Sequence, residues 1–133
     1  MNLVYNNKFL EIYFEMEKSL IVFQWEKITE EASEEDFKEW NRNLVKMVEV
    51  YRPKFILSIN IYYFFIINVE LQEWSVKNIF EKFQAYGVKK LAMIESDDFI
   101  SQISLEQFVD EGEELLLTKY FVEKEDAMKW FEK

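Results

Sequence analysis

The chain has 133 residues, the length of a single domain, and we expect one domain over residues 1–133. It contains no Cys and no His, which excludes disulfides, thiol nucleophiles and His-based catalysis, and its 2 Gly and 1 Pro exclude a glycine-rich phosphate loop. The formal net charge of −10 disfavours nucleic acid and anionic membranes as partners. Because zinc sites use Cys or His, we expect no structural transition metal. No motif assigns a metal site or a cofactor, and we expect neither.

The chain shows no targeting or membrane-spanning segment. The first ten residues lack the basic region and the apolar run of a secretory signal. The longest apolar run, residues 61–67, is far shorter than the stretch of about 20 residues that a helical span needs. We therefore expect a cytoplasmic protein without membrane insertion.

The first half of the chain predicts strands followed by one long helix. Apolar and polar residues alternate over 10–16, and an apolar segment over 20–25 follows a turn at Lys18–Ser19, so the two segments predict an antiparallel hairpin. A shorter strand over 3–5 can precede it. Ser33 followed by three acidic residues predicts a helix start, and the Pro at position 53 ends that helix. Residues 55–59 then form a buried strand.

The second half predicts helices and strands in alternation. A helix over 71–86 ends at Gly87, and a strand follows over 91–94. Residues 96–98 begin a third helix. A strand over 115–121 and a helix over 122–131 complete the order. The third helix carries the apolar residues Phe99, Ile100, Ile103 and Phe108, and the last helix carries Ala127, Met128 and Phe131.

This order defines the fold class as α/β. Strands that alternate with helices predict a mixed, mostly parallel sheet of four to six strands, with the N-terminal antiparallel hairpin on one side and helices packed against it.

The carboxylates Asp97 and Asp98 are candidates for chemistry. They follow a buried strand at its carboxyl end, where open α/β sheets hold ligands. Two neighbouring acids can share a proton or hold Mg²⁺ with a phosphate, but Ser-Asp-Asp before an apolar helix is also an ordinary helix cap, and capping is favoured. The acidic clusters over 26–39 and 106–114 do not match a calcium loop, and we interpret them as solvated faces.

The run Tyr62, Tyr63, Phe64 and Phe65 is the most unusual feature of the sequence. It stands between a buried strand and a helix, where a short polar connection is normal. It can pack in the core, line a pocket for an apolar ligand, or form an interface. With Trp74 of the following helix, these residues are the candidates for binding a partner or a ligand. We expect part of the run to face solvent and to be covered by a second copy of the chain.

Four segments carry a family resemblance. They are 54–60 (KFILSIN), 69–74 (VELQEW), 87–94 (GVKKLAMI) and 120–131 (YFVEKEDAMKWF). With the element order, they resemble the SpoIIAA-like branch of the STAS superfamily, which includes small bacterial proteins. The resemblance implies a mixed sheet with helices packed on it and a non-enzymatic interaction or regulatory domain.

The regulatory serine turn of that family has no counterpart here. The corresponding residues, 60–63, are Asn-Ile-Tyr-Tyr, so the phosphorylation switch is not carried over. Our leading hypothesis is a dimeric interaction domain without catalytic activity, whose protein partner the sequence does not name. The alternatives are a small apolar-ligand or lipid-binding domain that uses residues 62–65, and an enzyme built on Asp97 and Asp98.

Overall fold

One mixed sheet of six strands organises the chain in a computed structural model, which describes residues 1–133. The strands lie side by side in chain order, and the first three are antiparallel, whereas β3 to β6 are parallel. The predicted fold class is confirmed. The strands are β1 (Asn2–Asn6), β2 (Leu10–Glu15), β3 (Leu20–Trp25), β4 (Phe55–Ile59), β5 (Lys90–Ile94) and β6 (Leu117–Phe121).

The helices begin and end largely where the local sequence requires. Ser33 caps α1 (Glu34–Tyr51) through a capping box with Asp36, and Gly87 adopts φ +92° after the helical segment that ends at Ala85, as its position predicts. A short 3₁₀ helix, Lys27–Glu31, precedes α1. The other helices are α2 (Val69–Ser75), a π-helical turn (Val76–Phe80), α3 (Glu81–Ala85), α4 (Phe99–Gly112) and α5 (Lys124–Phe131).

The sheet has a large core on one face and a small core on the other. The large cluster of 25 buried residues includes side chains of α1, of the α2–α3 segment and of α4. The small cluster of 7 buried residues joins Ala127 and Phe131 of α5 to alternate residues of β3, β4 and β5. Three helical segments therefore cover one face, and α5 covers the other, because successive strand side chains point to opposite faces.

Several predicted boundaries shift. The strand β2 ends at Glu15, before the exposed Met16, and β6 and α5 each start two residues later than predicted. The predicted helix over 71–86 starts at Val69, because the side chain of Asn68 accepts a hydrogen bond from the Leu71 N–H at 2.9 Å and caps it.

The apolar residues at the start of α4 do not pack in the core. Of the four that the sequence suggests, only Phe108 is buried, whereas Phe99, Ile100 and Ile103 are exposed. Ser101, Gln102 and Ser104 are buried instead, and each has a hydrogen-bond partner that compensates for the loss of water.

Candidate functional site

The aromatic run lies at the carboxyl edge of the parallel strands, between β4 and α2. Residues 61–67 form neither helix nor strand, yet their side chains alternate. Tyr63, Phe65 and Ile67 are buried, Tyr62 and Ile66 are exposed, and Phe64 is half-buried. The alternation arises because an extended backbone directs successive side chains to opposite sides.

Hydroxyl groups on both sides of the run fix its backbone. The Thr29 Oγ1 donates to the carbonyl of Tyr62 at 3.2 Å and accepts from the N–H of Phe64 at 2.9 Å. On the other side, Ser96 Oγ donates to the carbonyl of Tyr63 at 2.9 Å. The backbone groups that a strand would pair are thus satisfied by side chains, so the run keeps one conformation without belonging to the sheet.

Two further hydrogen bonds join the run to the segment that begins α4. The Asp97 N–H donates to the carbonyl of Ile61 at 3.0 Å, and the Ile67 N–H donates to Ser104 Oγ at 2.7 Å. The exposed residues of the run and the first turns of α4 therefore belong to one surface.

The buried rings of the run complete the large core. Tyr63 packs edge-on against Trp25 at 4.9 Å between ring centroids, and Phe65 stacks on Phe37 at 5.2 Å. Trp40 contacts both Tyr63 and Phe65 edge-on. Burial leaves Tyr63 and Phe65 almost no surface for a partner, so core packing is the role that the structure gives to these two members of the run.

A small cavity lies within this aromatic core. Its volume is about 40 Å³, and Trp25, Trp40, Asn60 and Tyr63 are among its lining residues. Trp25 Nε1 donates to Ser58 Oγ at 3.0 Å, but the buried Trp40 Nε1 has no hydrogen-bond partner in the chain. Binding pockets for small molecules measure about 300–1,000 Å³, so this cavity is far smaller than such a pocket.

A surface depression brings the aromatic and the carboxylate candidates together. Its lining includes Phe64, Phe65 and Ile66 from the run and Asp97 and Asp98 from the turn before α4. Glu30 and Ala32, which flank the end of the 3₁₀ helix, complete the lining. The sequence placed each group at the carboxyl end of a strand, and parallel strands bring those ends to one edge.

Asp98 serves as the N-cap of α4, which is the role that its sequence context favours. Its carboxylate accepts hydrogen bonds from the Ser101 hydroxyl at 2.7 Å and from the Ser101 N–H at 2.9 Å. These two bonds hold the pKa of Asp98 below its ordinary value. No group of three or more acidic side chains converges as a metal ion would require.

Trp74 does not line the depression. It is half-buried on α2, with its ring 6.1 Å from that of Phe37, and the Lys38 ammonium lies 5.8 Å from its centroid. Its contacts join α2 to α1, so they give it a packing role.

A set of exposed apolar residues, here named the α4 patch, lies beside the depression. Two of its members flank the run and the start of α2, and three lie on the first turns of α4. The exposed fractions are Ile66 49%, Val69 64%, Phe99 75%, Ile100 57% and Ile103 38%.

The α4 patch was not predicted from the sequence, although the helical period of α4 contains a signal for it. Leu105, Phe108, Val109 and Gly112 form one inward face, and the same helical period extended backwards reaches Ser101. The period therefore turns Phe99, Ile100 and Ile103 outwards.

The excess negative charge of the chain is concentrated in the segments that form this surface. Residues 55–76 and 91–118 contain ten of the 26 acidic residues and none of the 16 Lys and Arg residues. The remainder of the chain has equal numbers of acidic and basic residues, so these two segments account for the whole net charge of −10. The segments pack together where α2 contacts α4.

Comparisons with protein-family models, with curated proteins and with solved structures found no match. Among the helices, none combines the length and the apolar character needed to cross a membrane.

Proposed function

We propose that this chain is a non-enzymatic interaction domain that binds a protein partner over the α4 patch and the adjoining depression. The observation that carries the proposal is the patch itself. Contiguous apolar side chains that remain exposed beside polar ones are characteristic of a partner site. Here the first turns of a capped, hydrogen-bonded helix direct polar residues inwards and apolar ones outwards.

The apolar area of the patch is too small to give a stable complex without additional polar contacts. The exposed fractions of its five residues amount to roughly three whole side chains, and burying each whole side chain contributes about 1.5–3 kcal/mol. Association costs at least about 4 kcal/mol and often more. The apolar area alone therefore gives a weak contact, and the carboxylates around it must contribute for a stable one.

The state of Asp98 favours its role as a helix cap over a role as a general acid. Its carboxylate is occupied by Ser101 and remains ionised at neutral pH, so it is a poor general acid. The pair Asp97 and Asp98 then acts as a helix start and as a source of negative charge at the surface.

The family resemblance belongs to the same proposal. A mixed sheet with helices packed on it is what membership of the SpoIIAA-like branch of the STAS superfamily would imply, and the chain has that architecture. At the position of the regulatory serine turn the chain has Asn60, Ile61, Tyr62 and Tyr63. The proposed interaction is therefore one that a serine phosphate at this turn does not control.

A homodimer through residues 62–65 has less support than a separate partner. Tyr62 is the most exposed of the four, and 39% of an aromatic side chain is only about 80 Å². A standard interface buries about 800 Å² on each partner. A dimer would have to use the α4 patch as well, and there both copies would present the same acidic surface. The apolar-ligand alternative gains no support from a cavity of about 40 Å³.

Site-specific photocrosslinking in cells tests the proposal. A benzoylphenylalanine placed at Ile100, in the patch, is compared with one placed at Met16, which is even more exposed in the turn between β2 and β3. We expect a discrete adduct with another protein at position 100 and none at position 16. Adducts of the same size at both positions, or none at either, would contradict the proposal, and an adduct of twice the chain mass would assign the surface to a second copy.

A further inference from the structure

We infer that the partner segment bound at the α4 patch is amphipathic and basic, with apolar side chains that contact the patch and with Lys or Arg that face the carboxylates around it. This inference rests on the proposed function, because it names the chemistry of the partner at the same surface. It combines the exposed apolar residues with the one-sided charge of the segments that carry them.

The outer face of α4 changes from apolar to acidic along its length. Phe99, Ile103, Glu106 and Asp110 are all exposed and follow one another at spacings of four, three and four residues. Residues at these spacings lie on one side of a helix. A segment that lies along this side meets apolar side chains first and carboxylates afterwards.

Further carboxylates border the other sides of the patch. Asp97 and Asp98 precede Phe99, and Glu70 follows Val69 at the start of α2. All three acids are exposed. No Lys or Arg occurs in residues 55–76 or 91–118, so the segments that carry the patch supply no cation to any of these carboxylates.

The carboxylates are also free of ion pairs within the fold. The one salt bridge of the chain joins Arg42 to Glu35, both on α1, and involves none of these carboxylates. A partner that supplies Lys or Arg would therefore gain attraction without breaking an internal pair, and complementary charge speeds association and selects the partner.

The same charge argues against two other occupants. In a two-fold contact between copies, the patch of one copy would meet the identical acidic patch of the other, and like charges facing each other are unfavourable. An anionic membrane surface is repelled for the same reason. A basic segment is the occupant that satisfies both the apolar and the acidic residues.

The probes are two fluorescein-labelled 18-residue helical peptides with the same heptad pattern of Leu, one with Lys and one with Glu at the remaining positions. Fluorescence anisotropy against the full chain measures their binding. We expect the Leu–Lys peptide to bind, with an affinity that falls as salt is raised, and the Leu–Glu peptide not to bind. Equal binding of both peptides, or of neither, would overturn the inference.

Matched variants locate the binding. The double variant Phe99→Ser, Ile103→Ser removes apolar area from the patch, and Met16→Ser, Val50→Ser removes exposed apolar side chains at the opposite end of the sheet. All four residues are exposed, so we expect both variants to fold. The patch variant should bind the Leu–Lys peptide at least tenfold more weakly, and the control variant should bind it like the native chain. Equal binding by the two variants would overturn the inference.

A charge variant completes the test. Glu106→Gln with Asp110→Asn keeps the shape of the α4 face but removes two charges, and we expect severalfold weaker binding and a smaller dependence on salt. An unchanged salt dependence would contradict the charge argument. If a crosslinked partner forms at Ile100 while the Leu–Lys peptide does not bind, the proposed function stands and this inference fails.

Discussion

Gly112, the last residue of α4, offers a sharp test of how α4 is held against the α2–α3 segment. A Cβ atom built on Gly112 would overlap Cγ and Cδ2 of the Phe80 ring and would lie 2.7 Å from its Cδ1. Phe80 is 1% exposed in the π-helical turn and packs on Phe108 at 4.9 Å between ring centroids. The only free space beside the ring is the cavity of about 40 Å³ in the aromatic core, so a new methyl group must displace the ring towards that cavity. Gly112→Ala is therefore an overpacking substitution.

The expected magnitude follows from two opposing effects. Overpacking a well-filled core costs about 1–3 kcal/mol. Gly112 does not have a positive φ, so Ala suits its backbone and recovers up to about 1 kcal/mol of helix propensity. We expect Gly112→Ala to lower the free energy of unfolding by about 1–2 kcal/mol, measured by urea denaturation. Helix propensity alone predicts that Gly112→Ala raises the free energy of unfolding.

A second substitution isolates the contact. In a Phe80→Leu background the flat ring is absent, so the cost of Gly112→Ala should fall by about 1 kcal/mol or more in a double-mutant cycle. A neutral or stabilising Gly112→Ala in the native chain would refute the close approach of the two helices. The same cost in both backgrounds would show that the destabilisation does not come from the Phe80 ring.

Three further predictions concern buried and capping groups. Ser104→Ala leaves the Ile67 N–H without its buried acceptor and should lower the free energy of unfolding by about 1–3 kcal/mol in urea; an unchanged value would mean that the hydrogen bond contributes nothing. Ser101 holds the pKa of Asp98 low, so the ionised cap stabilises the fold above the ordinary pKa of Asp and loses this effect as pH falls through the lowered value. Acid should therefore destabilise the native chain more than the Asp98→Asn variant. Parallel acid unfolding curves for the two proteins would contradict this. Burial raises the pKa of Tyr63 well above 10, so above pH 10 the side chain ionises in the unfolded chain but stays protonated in the folded chain. Tyr63→Phe should therefore lessen the loss of stability above pH 10. An ultraviolet titration in which Tyr63 ionises like a free tyrosine would refute its burial.

The sequence by itself determined the fold class and most of the elements. Strand alternation over 10–16, the cap at Ser33, the stop before Pro53 and the glycine at position 87 each act within a few residues along the chain. Such signals depend on local backbone geometry and hydrogen bonding, so one sequence is enough to interpret them. The placement of the aromatic run and of Asp97 and Asp98 at strand ends follows from the same local order.

Only the tertiary structure decided which of these residues face solvent. Residues 62–65 are all aromatic, yet only Tyr63 and Phe65 fill the core. The hydroxyl groups of Thr29 and Ser96, which belong to distant segments, fix the backbone of residues 62–64 and so decide which rings point inwards. The orientation of α4 is decided in the same way. The hydrogen bond from the Ile67 N–H holds Ser104 on the inner side of α4, and Gly112 permits close contact with Phe80. These contacts fix the rotation of α4 about its axis, and Phe99 and Ile103 therefore face outwards. Hydrophobicity favours burial of every apolar side chain, and it is the long-range hydrogen bonds and contacts of the fold that select which ones remain at the surface.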